Sequence, residues 1–162
     1  MSIINNLKSK RLYFDGGMGT LLQEQGLKPG EHPELWNISH SDIITEAHLK
    51  YLEAGCNIIN SNTFGANILK FSGKDGTPTL EEIIASAMKN AKAAVQKVSN
   101  SDIPRYIALD MGPTGKLLKP LGDLEFEKAV EIFAETVKLG VKYGADLILI
   151  ETMNDSYETK AA

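Results

Sequence analysis

GADLILIETM, residues 144–153, reads as a glycine turn, a four-residue apolar run and then an abrupt carboxylate. The run at 147–150 is too short for a stable helix and lacks polar alternation, so it fits a strand buried on both faces, as in a parallel sheet. Glu151 follows it directly. A carboxylate in such a place is costly unless something pairs with it. A structural salt bridge and a ligand cation both answer that need, and the residues alone leave the two open.

Working outward, the same pattern recurs. Apolar runs at 12–14, 57–60 and 106–109 end in Asp15-Gly16-Gly17, Asn60-Ser61-Asn62-Thr63 and Asp110-Met111-Gly112-Pro113. The strand starts are spaced by roughly 40 to 50 residues, room for a crossover helix each time. The spacing predicts amphipathic helices over 42–54, 79–98 and 123–143. Their apolar faces are Ile43, Ala47, Leu49 and Leu52 in the first, and Phe126, Val130, Phe133, Val137 and Val141 in the last. Thr79 and Glu82 stand at capping-box spacing. Gly55, Gly140 and Gly144 are expected to close helices, and the Gly/Pro-rich stretches 27–35 and 72–78 are expected to be surface connections. The chain is therefore an α/β domain over 1–162 with about four βα units, the last ending within its helix. An open doubly wound sheet and half of a closed barrel fit equally, since both gather ligands at strand C-termini.

Composition narrows the function. The 162 residues carry a net charge of −4 without a basic cluster, which argues against nucleic-acid binding. The lysines of KNAKAAVQK (89–97) read as the solvated face of a helix. No apolar run approaches the roughly 18 residues of a membrane span. The start lacks a signal-peptide apolar core, and Cys56 has no partner for an internal disulfide, so a reduced, cytoplasmic protein is expected.

Three clusters are candidates for chemistry. In FDGGMGT (14–20) the glycines allow close approach of a ligand, although the same residues make a tight turn with Asp15 as cap. In NSNTFGAN (60–67), Asn62 and Thr63 either bind a substrate or cap the next helix. The third is Glu151. Asp15 and Glu151 on one rim suit either acid/base work or a substrate ammonium, the latter beside the Gly17–Thr20 backbone that would take a carboxylate. His32, His40, His48 and Cys56 show no metal-ligand spacing, so no metal site is expected.

DGGMGTLLQEQGL (15–27), PELWNISHSDIITEAHLKYLEAGCNIINSNTFGAN (33–67), DMGPTGKLLKPLGDLEF (110–126) and GADLILIETM (144–153), in this order, resemble the homocysteine S-methyltransferase family, its cobalamin-dependent methionine synthase branch above all. The resemblance implies a (β/α)8 TIM barrel of which this chain supplies the first half. It implies homocysteine as substrate, with Asp15 and Glu151 holding the ammonium and Gly16, Gly17, Thr63 and Phe64 as neighbours. It implies zinc on cysteines that this sequence lacks, with cobalamin and methyltetrahydrofolate bound by other domains. The chain alone is then expected to have no catalytic residue of its own and to be inactive. It would pair with a second copy or with a C-terminal half-barrel, because inward residues such as Ile58, Ile107 and Ile148 would otherwise face water.

Overall fold

The computed structural model describes residues 3–74, 76–98 and 103–162. Helix α1 (Ile3–Leu7) comes first and α2 (Met18–Glu24) follows the first extended segment. A 3-10 turn (Pro33–Leu35) leads into α3 (Trp36–Ser39) and α4 (Ser41–Glu53). Then come β1 (Ile58–Asn60), α5 (Leu80–Lys97), β2 (Tyr106–Met111), α6 (Phe126–Lys142), β3 (Leu147–Ile150) and α7 (Ser156–Ala161).

Among the described residues the strands form one parallel sheet in chain order, β1-β2-β3. The expected strand at 12–14 is reduced to a single parallel bridge, Phe14 to Ile58. The Tyr13 N–H donates to the Asn57 side-chain oxygen (3.0 Å) in place of a ladder partner, and the glycines follow at once. Side chains also fix the register at the other edge. Asp146 accepts from the Ile107 N–H through its carboxylate (2.8 Å) and donates its own N–H to the Ile107 carbonyl.

Strand alternation sorts the core into two faces. Ile59, Ile107, Leu109 and Ile148 pack with Ile83, Ile84 and Met88 of α5, and Met111 packs with Ile132 and Phe133 of α6. Ile58, Tyr106 and Ala108 face the other way, against Leu147, Leu149, Leu12 and Ile3. Both long crossover helices thus lie on one face. A doubly wound sheet reverses strand order at a switch point and carries helices on both faces; the described sheet has no such reversal.

Three expectations need correction. Ile107 and Ile148 belong to the helix side of the sheet. Ile58 does lie on the other side, but it is covered along with Tyr106 where α1 approaches, and Asn6 donates to the Tyr106 hydroxyl at 2.5 Å. Second, α6 is turned from its expected face: Ala129, Ile132, Phe133, Thr136 and Gly140 are buried, while Val130 and Val141 are exposed. The cause is Gly140, which sits inside the helix and does not cap it. A Cβ there would stand 2.5 Å from Leu109 Cδ2, so the helix can approach the sheet only with a glycine at this point. Gly55 and Gly144 do close their helices, with positive φ. Third, α4 buries Ile44, Thr45, Ala47, His48 and Leu52, leaving Ile43 and Leu49 half-buried. The Thr79–Glu82 capping box forms as expected.

No helix among the described residues is long and apolar enough to cross a membrane. Overpacking at the helix–sheet contact is expected to cost about 1–3 kcal/mol. Gly140→Val should therefore lower the urea midpoint without changing the slope; an unchanged midpoint would show that α6 can stand off from Leu109 freely.

Candidate functional site

The polar residues that end the strands line one cleft of about 640 Å³, closed on another side by His32, Pro33 and Glu34. Asp15, Gly16, Gly17, Phe64 and Glu151 all line it, together with Asn60, Asp110 and Thr152.

Asp15 stands just past the Phe14 bridge. One of its oxygens, Oδ2, accepts from the Asn60 N–H (2.9 Å), whereas Oδ1 is buried without a hydrogen-bond partner. Burial pushes its carboxyl up to about 7, and the nearby Glu151 charge adds to this against the pull of the Asn60 amide. Asp110, on the helix-free face at the end of β2, is 8% exposed, and its Oδ1 is likewise unpartnered. Burial, with Glu151, Asp15 and Glu34 as neighbouring charges, pushes it up to about 7 as well. Asn60 Oδ1 is a third buried oxygen without a partner.

Backbone crowding fixes the rest of the rim. The Tyr51 hydroxyl donates to the Gly17 carbonyl (3.1 Å), and a Cβ on Gly16 would stand 2.9 Å from that hydroxyl. Phe64 is 39% exposed, and its ring occupies the space a Gly112 side chain would need. Thr152, next to Glu151, has φ 55, a left-handed conformation that β-branched residues rarely adopt and that costs on the order of 1–3 kcal/mol.

Two sequence readings of 60–67 change. Thr63 is fully buried and does not reach the cleft; its hydroxyl donates to the Asp110 carbonyl (2.8 Å) and pairs with Ser61 Oγ. Asn62 does not cap a helix, because none begins until α5. Its amide donates to the Pro33 carbonyl (2.8 Å), tying the 3-10 turn to the strand end. That turn carries a residue the sequence reading missed. The stretch 27–35 is not all surface: Leu27 is buried, and Glu34 is buried with Oε1 accepting from the Gly65 N–H at 2.6 Å. Of the loop 72–78, residue 75 lies outside the described residues. The other metal-type residues scatter. His32 lines the cleft, His40 stacks on Trp36, His48 is fully buried in α4, and Cys56 is buried just before β1.

Parallel α/β folds build their ligand sites at strand C-termini, where this chain gathers its acidic and polar residues in one cleft. The sequence profile of the homocysteine S-methyltransferase family matches residues 12–162, and the chain belongs to that family. It is 28% identical to the methionine synthases of Mycobacterium leprae (strain TN) and Mycobacterium tuberculosis (strain ATCC 25618 / H37Rv), each over 99% of this chain. It spans only 14% of the length of either. The fold matches the homocysteine methyltransferase MmuM from Escherichia coli. The metallated form gives a TM-score of 0.80 at 21% identity, covering 97% of this chain and 59% of that one. The apo form gives 0.69 at 21% identity, covering 96% and 54%.

The raised carboxyls have a consequence for stability. Between 3.8 and about 7 the folded chain holds protons on Asp15 and Asp110 that the unfolded chain has released. Their contribution is complete at low pH and is lost as pH rises through about 7. The ligand-free protein should therefore melt lower at about pH 8 than at about pH 5.5, and Asp110→Asn should flatten the difference. A melting point that rises over this interval and ignores the substitution would contradict the burial of these groups.

Proposed function

We propose that this chain is the first half of a (β/α)8 barrel that binds homocysteine for S-methylation to methionine. One observation carries the reading: Asp15 and Asp110, which line the cleft together with Glu151, each have a buried carboxylate oxygen with no hydrogen-bond partner. Such groups call for a cation with N–H donors, and an amino acid's ammonium is one. Asp15 and Glu151 would hold that ammonium, while Gly16, Gly17 and the exposed edge of Phe64 flank the rest of the substrate. The closeness in sequence to methionine synthases supports the same substrate class. Acid/base work by the two carboxylates has no comparable support from the family.

Zinc, which the family resemblance implies, does not fit the residues of this cleft. Cys56 is buried away from the lining, and its thiol is pushed up to about 11 by burial and by the Asp15 charge, against the pull of Arg105. A thiol held there stays protonated and is a poor ligand. Activation of the substrate sulfur is accordingly not assigned to these residues, nor are the roles the resemblance gives to cobalamin and methyltetrahydrofolate. These residues would bind the amino acid, orient it and hold protons on Asp15 and Asp110 until the ammonium replaces them.

Asp15→Asn and Glu151→Gln should each weaken homocysteine binding about tenfold or more, the equivalent of one charge-assisted hydrogen bond of roughly 1.5–3 kcal/mol. Calorimetric titration checks this, and unchanged affinity in both variants would make the carboxylates structural.

The half-barrel also implies a partner for the sheet. Tyr13 and Phe14 at one edge are 57% and 43% exposed, and Ile150 at the other is 39% exposed. A second copy or a C-terminal half-barrel would cover them. Sedimentation velocity of the chain alone should show a dimer or larger species; a stable monomer at high concentration would leave only the C-terminal half as partner.

A further inference from the structure

Phe64 lies outside every helix and strand and lines the cleft with its ring partly exposed. Its position is nevertheless defined from both sides of one peptide bond. The Gly65 N–H donates to Glu34 Oε1 at 2.6 Å, and the Phe64 carbonyl accepts from the Gly112 N–H at 2.9 Å. Both groups belong to the same planar unit, so the two bonds fix its orientation and, with it, the direction in which the Phe64 side chain leaves the backbone. The ring comes to rest on Gly112: a Cβ there would stand 2.5 Å from one ring carbon and 2.7 Å from two more. Gly65 has to be small as well, since a Cβ on it would meet Glu34 Oε1 at 2.5 Å and Lys70 Nζ at 3.0 Å.

The carboxylate of Glu34 is presented from a fixed base. Three buried amides link the turn that carries it to the helix layer: Asn62 donates to the Pro33 carbonyl (2.8 Å), Asn37 to the Asn62 carbonyl (2.8 Å), and Asn90 of α5 to the Asn37 carbonyl (2.9 Å). A carboxylate buried in this way is costly unless it is hydrogen-bonded, and among the described residues the Gly65 amide is its one hydrogen-bond partner. We propose that Glu34 is a positioning residue of the cleft: through the Phe64–Gly65 peptide it sets the Phe64 ring against Gly112 and so keeps clear the volume in which the substrate sits. The proposal rests on reading the cleft as an amino-acid site and adds the group that shapes its wall. Without this acceptor the buried Gly65 N–H has to turn toward another, which carries the ring off Gly112.

The test uses the full chain with ring-¹³C-labelled phenylalanine, the Phe64 signals being assigned by their loss in Phe64→Leu. In the unaltered chain the Phe64 ring protons should show nuclear Overhauser contacts to the Gly112 α-protons. Glu34→Ala should abolish these contacts and weaken L-homocysteine binding about tenfold in calorimetric titration, the fold-change expected if one charge-assisted hydrogen bond holds the binding geometry. Glu34→Asp, one methylene short of Gly65, serves if the alanine variant does not fold. Glu34→Gln keeps an oxygen for the Gly65 N–H and should retain the contacts and most of the affinity. Gly112→Ala, which crowds the ring with Glu34 intact, should weaken binding as Glu34→Ala does. A folded Glu34→Ala chain that keeps the Phe64–Gly112 contacts overturns the proposal whatever its melting point, as does one that loses them at unchanged affinity. A Glu34→Gln chain as weak as Glu34→Ala also overturns it, because charge and not the hydrogen bond to Gly65 would then be what the ligand needs. If the unaltered chain does not bind homocysteine, the amino-acid reading falls, and the Overhauser contacts still decide whether Glu34 sets the ring.

Discussion

The register of β2 between its two neighbours is the constraint on which the rest of this molecule depends. Alternation along a strand has a period of two, so a slip of one residue would exchange the faces of every side chain. Asp110 would then point into the helix layer and Leu109 into the cleft. Asn57 and Asp146, each standing just before a strand, work against such a slip with their side chains. The first binds the Tyr13 N–H and the Pro104 carbonyl, and the second binds the Ile107 N–H. Polar residues at the start of the strands thereby decide which residues meet at their end.

What meets there is in tension with folding. The carboxylates of Asp15 and Asp110 are buried, near one another and near Glu151, and burial dominates the rise in both. A purely structural cluster would pair these oxygens internally. Here the internal bonds satisfy other atoms: the Asn60 amide takes one Asp15 oxygen, Ser61 takes the Asp110 N–H, and Thr63 takes the Asp110 carbonyl. What remains unpaired is Asp15 Oδ1 and Asp110 Oδ1, both buried. The left-handed backbone at Thr152, beside Glu151, belongs to the same pattern of local cost concentrated at a site.

Much of this was legible in the residues. LILI followed by glutamate marks β3 with its bounds at 147–150. The capping box places the start of α5, and the polar strand ends name most of the cleft. Asp110 carries the signal that exposes Glu151, an apolar strand run broken by a carboxylate, and could have been added on that ground. Glu34 carried no such signal, since a glutamate in a Gly/Pro-rich stretch looks like surface until the Asn62 amide pulls the turn inward. The face of α6 was misread because valine looks more core-like than glycine, whereas here close packing at Gly140 decides which side turns in. Chain-order strand pairing was beyond periodicity, which measures the length of a crossover and not the side on which it lies.

The short helix at the start of the chain gives the sheet a floor. With Ile3 in the apolar cluster of Tyr106 and Ala108, and Asn6 bonded to the Tyr106 hydroxyl, the helix-free face is stoppered at the end opposite the carboxylates. Without α1, part of the Tyr106 ring and its hydroxyl would meet water at that end of the sheet.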